Sequence, residues 1–208
     1  MIHGYHLILP AYGFWLPNDP RGSWSDFVGK SELVRFGKTT RSLGRRELCE
    51  LTIEELAQRD AARRTLKYPA VQFTGLQARG IGSGFARAST KGRYAILACA
   101  ILPEHTHLVI ARHRYSIEQT ANLLKGAATR QLIEEKQHPL AQHAKPGEAP
   151  PRMWAERQWK VYLDSEKAIE NAIAYVNENP IKEGKPPQKW SFVTAFTGLP
   201  KSGWVTYW

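Results

Sequence analysis

Two apolar runs, Tyr94 to Leu102 and Leu108 to Ala111, flank the break Leu102-Pro103-Glu104, and the triplet His105-Thr106-His107 opens the second run. This pattern predicts a strand, a tight turn and a returning strand. A first strand is predicted over His3 to Tyr12, with Pro10 at its end or on a sheet edge, and another over Gln158 to Leu163. Between them the pattern turns helical. Thr52-Ile53-Glu54-Glu55, Thr74-Gly75-Leu76-Gln77 and Ser116-Ile117-Glu118-Gln119 each have the form of a capping box. The first opens a helix to about Leu66 and the third a helix to about Lys136. The second precedes Leu76, Ile81, Phe85 and Ala88 at helical spacing, but Gly80, Gly82 and Gly84 each weaken a helix by about 1 kcal/mol against Ala.

A fourth helix starts at a cap on Asp164 or Ser165 and runs through Asn179, where Pro180 closes it, because the residue before a proline is pushed out of the helical region. Ile169, Ala172, Ile173 and Val176 form its apolar stripe. Tyr175 lies at the edge of that stripe, and Asn179 stacks over it one turn later. The remaining segments read as loops: a long one at about 13–50 containing Trp15, Trp24 and Phe27, and a Pro-rich one at 138–152 where His138 and His143 are expected to be solvated. The tail at about 181–208 is mostly irregular, with Trp190, Phe192, Phe196, Trp204 and Trp208 to pack down. A single α+β domain over 1–208 follows, an antiparallel sheet with helices packed on one face.

Composition adds a partner. Lys and Arg number 29 against 19 Asp and Glu, a net charge of +10, and seven Trp and eight Tyr can stack on bases. That balance favours a polyanion such as nucleic acid. Between Arg59 and Arg93 stand eight basic residues and one acid, Asp60. This stretch is either a phosphate-tracking surface or a solvated helix face. Cys49 and Cys99 are isolated, which points to a reducing compartment without a disulfide framework. The start Met1-Ile2-His3-Gly4 lacks the form of a signal peptide, and no apolar run reaches the roughly 18 residues of a membrane span, so a cytoplasmic protein is expected.

The candidate chemistry sits in the hairpin. Alternation along a strand turns His105 and His107 to the same face and Thr106 to the other. Two imidazoles there are either ligands of one ion or structural side chains, and spacing alone leaves both readings open. His3 and His6, an odd number apart, read as structural.

Three motifs in order carry a resemblance to the HUH single-tyrosine transposases, and among them to the REP-associated tyrosine transposase group. They are the hairpin ILPEHTHLVI at 101–110, Trp154-Ala155-Glu156-Arg157-Gln158-Trp159, and Tyr175-Val176-Asn177-Glu178-Asn179-Pro180. Thr106 departs from the family, which usually has a hydrophobe there. The resemblance implies a ferredoxin-like sheet, His105 and His107 as ligands of a divalent ion, Mg²⁺ or Mn²⁺, with Asn179 as a third ligand, and Tyr175 as nucleophile. A phenol titrates near about 10, so such a tyrosine needs a nearby cation or base to attack. The implied function is metal-dependent cleavage and rejoining of single-stranded DNA near hairpins through a covalent phosphotyrosine. Arg157, Trp154, Trp159, Arg79, Arg87, Lys91 and Arg93 are the expected DNA contacts. A monomer is expected, with a dimer left open. The alternatives are a domesticated hairpin-binding module that no longer cuts, or a structural domain whose basic charge is incidental.

Overall fold

Four strands and four long helices alternate along the chain in the computed structural model, which describes residues 1–14, 16 and 51–199. In order they are β1 (Gly4–Pro10), α1 (Ile53–Arg64), α2 (Gly75–Gly92), β2 (Ile96–Ile101), β3 (His105–Ala111), α3 (Ile117–Glu134), β4 (Trp159–Leu163) and α4 (Glu166–Lys182). The strands form one antiparallel sheet in the order β2-β3-β1-β4. This is the ferredoxin-like order, with α2 and α3 in the two crossovers. Pro10 is the last residue of a central strand, where its missing N–H interrupts no further ladder. All three capping boxes close as the sequence predicts, and Ser165 caps α4.

The helices do not share one face. Ile81 and Phe85 of α2 and Leu124 and Ala128 of α3 pack on Leu7, Leu9, Cys99, Ile101, Leu108 and Ile110. On the opposite face, Ile169, Ala172 and Val176 of α4 cover Leu97, Ala98, Ala100 and Val109. The one-sided arrangement expected from the sequence is thus corrected. The physical reason is visible in β2, buried at every position: a strand covered on both faces has no polar alternation.

Helix α2 forms despite its glycines because two of them admit close neighbours. A Cβ on Gly84 would stand 2.6 Å from the Ala128 Cα of α3, and one on Gly82 would stand 2.4 Å from the Trp190 ring. The propensity lost is offset by interhelical packing that no larger residue permits. Pro180 does not end α4, which continues to Lys182. Only the bond to the carbonyl four residues back is lost so near the terminus. Glu183 N–H then donates to Asn179 O at 3.1 Å.

The irregular segment after α4 covers the free edge of β2. The Gln188 side chain both accepts from Ile101 N–H and donates to Ile101 O, each at 2.8 Å, and Val193 bridges Ile96 in parallel. This closes an edge open to pairing with other chains. Trp190 and Phe192 pack against the main core as expected. Trp204, Trp208, Cys49 and nearly all of the 13–50 loop lie outside the described residues. Cys99 is free and buried, and burial pushes its thiol far up. His138 is buried rather than solvated: Leu140 N–H donates to its Nδ1 at 3.3 Å, and burial lowers its pKa. Among the described residues no helix is long and apolar enough to cross a membrane.

Candidate active site

Strand alternation places His105 and His107 on the sheet face that α4 covers, and turns Thr106 to the main core, where it is fully buried between Leu9 and Ile101. His6 comes to the same face from β1, two residues before Ile8, the register partner of His107. Its Nε2 stands 3.0 Å from His107 Nδ1. His105 stacks on Phe14 with ring centroids 4.7 Å apart and meets His107 edge-on at the same separation. Three imidazoles from two adjacent strands thus form one cluster. The sequence reading missed His6.

Burial lowers His6 to about 4. His107 is held well below the usual imidazole range by burial and then by the neighbouring His105 and His6. His6 and His107 are therefore neutral at ordinary pH, and the hydrogen bond between them uses one ring N–H. In the tautomer where His107 Nδ1–H donates, its Nε2 keeps a free lone pair, the form in which imidazole binds a metal.

Helix α4 lies across the cluster. The ring centroid of Tyr175 is 5.6 Å from that of His6 and 5.7 Å from that of His107. Tyr175 nevertheless keeps 42% of its surface exposed, so a large substrate can reach it. Lys182 Nζ stands 5.3 Å from the Tyr175 ring centroid and is paired with Glu178 at 2.9 Å. Asn179, one turn on, is buried, and its amide nitrogen makes no hydrogen bond. Glu183 Oε1 lies 3.7 Å from His105 Nε2. Lys182 and Glu183 were not singled out from the sequence, because they lie beyond the proline expected to end the helix.

Among the described residues no three His, Cys, Asp or Glu side chains converge on a ready-made metal site. An amide oxygen enlarges the donor set. Exchanging the indistinguishable oxygen and nitrogen of Asn179 gives the unpartnered position an acceptor, so two imidazoles and one amide face this region. That set fits a divalent ion, and its two nitrogens suit Mn²⁺ better than Mg²⁺.

The expected DNA contacts separate into three groups. Arg157 is exposed in the segment before β4, and Trp159 is half-buried at the start of β4. Trp154 is a correction: it is 5% exposed, packs on Phe73 at 5.0 Å and bridges Ala11, so it offers no face to a base. Its apolar body fills the open end of the core beside Met153. Arg79, Arg87, Lys91 and Arg93 are exposed on or just after α2, across the sheet from Tyr175. Arg87 donates to Gln131 Oε1 at 2.9 Å and pairs with Glu134 at 2.6 Å.

The segment carrying Arg157 is fastened from below. Lys125 Nζ donates to Ala155 O at 2.9 Å, Glu156 O at 3.1 Å and Gln158 Oε1 at 3.2 Å. Burial lowers Lys125 to about 8. Its folded pKa lies below the unfolded value of about 10.5, so between these values the unfolded chain holds a proton that the folded chain has released. Stability attributable to Lys125 is accordingly expected to rise as pH increases from about 8 to about 10.5. Urea unfolding of the wild type and Lys125→Met across that range checks it: the rise belongs to the wild type alone, and an equal rise in both would contradict the assignment.

No family model matches the chain, and no curated protein matches it. Two solved structures resemble it distantly. One is a REP-associated tyrosine transposase bound to a REP hairpin, at 12% identity and a TM-score of 0.44, covering 88% of this chain and 68% of the other. The second is a candidate transposase from Deinococcus radiodurans R1, at 12% identity and a TM-score of 0.41, covering 89% of this chain and 92% of the other. What the chain does is read from its own residues.

Proposed function

We propose that this protein is a metal-dependent endonuclease and transposase that cuts and rejoins single-stranded DNA beside hairpins, with Tyr175 as nucleophile. The observation that carries this reading is the seating of an exposed tyrosine directly against the paired His6 and His107. A structural tyrosine at this helix edge would turn its hydroxyl away from polar side chains.

His105, His107 and the Asn179 oxygen would hold Mn²⁺ or Mg²⁺. Bound there, the ion polarises the scissile phosphate and offsets the charge that develops on it. His6 is a positioning residue: by accepting from His107 Nδ1–H it fixes the ring and leaves Nε2 directed outward. Tyr175 attacks the phosphorus, its proton leaves to solvent along its exposed edge, and Lys182 favours the phenolate as it forms. A tyrosine O–P bond forms as the P–O bond to the leaving strand breaks. The covalent phosphotyrosine conserves the phosphodiester for rejoining when a strand hydroxyl attacks in reverse. Arg157 and Trp159, at the loop and strand edge held by Lys125, are the contacts assigned to the DNA strand.

Removal of the metal provides the test. End-labelled hairpin oligonucleotides with single-stranded flanks, mixed with protein and Mn²⁺ or Mg²⁺, are expected to show strand scission and a slow-migrating species on a denaturing gel. Both should vanish with chelator and in His105→Ala. Hairpin binding without scission over a broad oligonucleotide panel would instead establish a non-cleaving binding module.

A further inference from the structure

We infer that Glu183 is a further metal-binding residue, adding a carboxylate to the ion that His105, His107 and Asn179 would hold. This rests on the metal-dependent reading above.

The geometry comes from the continuation of α4 through Pro180. Tyr175, Asn179 and Glu183 recur every four residues, so each stands one turn beyond the last along neighbouring positions of one helix. Had the helix ended at Asn179, the chain would have turned away before Glu183. Instead Glu183 caps the helix with φ −93° and ψ 16°, and its Oε1 stands 3.7 Å from His105 Nε2. Two ligands bonded at about 2.1 Å and at right angles on one ion stand about 3 Å apart. Closure on an ion thus asks for a movement of under about 1 Å, on this geometry, from a long side chain on the solvent side of the cluster.

Chemistry favours the same assignment. Two neutral imidazoles and an amide carry no charge to offset a hard dication, and Mg²⁺ and Mn²⁺ prefer oxygen ligands, carboxylates above all. Without Glu183 the set is neutral and rich in nitrogen. With it the site has one negative charge and a second oxygen, which lets it hold the ion before DNA supplies a phosphate oxygen.

The test uses Mn²⁺ alone, without DNA. Free Mn²⁺ is followed by electron paramagnetic resonance as it is titrated into wild type, Glu183→Gln, Glu178→Gln and His105→Ala. Glu183→Gln is expected to weaken Mn²⁺ binding at least about tenfold, as loss of a ligand-set member does. Glu178→Gln removes the same charge one turn away from a side chain that pairs with Lys182, and is expected to stay within about twofold of wild type. Equal affinities for wild type and Glu183→Gln, with loss of binding in His105→Ala, would overturn the Glu183 assignment and leave the metal centre standing. Equal weakening in both glutamate variants would reduce Glu183 to general electrostatics and overturn it too. A wild type that binds no Mn²⁺ would overturn the metal centre itself, and Glu183 with it.

Discussion

Tyr175→Phe is expected to abolish scission and covalent adduct together, a loss of at least about 10⁴-fold, as when the nucleophile of a covalent enzyme is removed. The change deletes one oxygen and leaves the ring. Contacts with His6 and His107 are made by the ring, and the side chain is 42% exposed, so stability should stay within about 0.5 kcal/mol. Hairpin binding should change by less than about twofold, because the phenol oxygen joins the phosphate only as the new bond forms. A gel assay alongside a binding titration separates the two effects. Persistent scission in Tyr175→Phe would point to water as the nucleophile and make the enzyme a hydrolase. Equal loss of binding and scission would make Tyr175 a contact residue.

The second large effect concerns stability, and its sign runs against helix propensity. By propensity alone, Gly84→Ala in the middle of α2 should stabilise the helix by about 1 kcal/mol. The new Cβ, however, would stand 2.6 Å from Ala128 Cα and 2.8 Å from Ala128 N, backbone atoms of α3 that cannot rotate aside. Relief requires the two helices to part by about 1 Å, loosening Phe85 and Leu124 against the sheet. A net loss of about 3 kcal/mol is expected, at the upper end for overpacking. Gly126→Ala in α3 is the control. The nearest atom there is Arg130 Nη1 at 3.4 Å, the tip of a flexible side chain, so propensity should win by about 0.5–1 kcal/mol. Urea midpoints at unchanged slope measure both. A stabilised Gly84→Ala would mean that the α2–α3 contact is looser than described.

These glycines show where local reading of the chain succeeds and where it stops. Each capping box is a four-residue signal, and all three formed; so did the hairpin, whose apolar runs and Pro103 turn are contiguous in sequence. The glycines of α2 read as a weakness because their partners, Ala128 and Trp190, lie 44 and 108 residues away. The same distance hid His6, which meets His107 across 101 residues. One signal did exist: Leu7 and Leu9 alternate with His6 and Ile8, and the unbroken apolar run ILACAI of β2 means that both sheet faces are covered. With both faces covered, the face bearing His6 is an interior. Pro180 misled for a different reason. It forbids one backbone bond, and at a helix terminus the loss is small enough that tertiary packing of Ile169, Ala172 and Val176 carries the last turn onward. That turn delivers Lys182 and Glu183 to the candidate site. Trp154 read as a stacking surface because it stands in a motif with Arg157, but a large apolar ring beside Met153 is better satisfied in the core.

The central claim is that Tyr175 forms a covalent bond with DNA. Its most direct measurement is mass spectrometry of the protein after reaction with a hairpin oligonucleotide and Mn²⁺, followed by nuclease and trypsin digestion. A nucleotide-phosphate adduct on the peptide spanning 168–182, with fragment ions placing it on Tyr175, is the predicted result. Strand scission with no adduct on that peptide, or an adduct on another tyrosine, would contradict it.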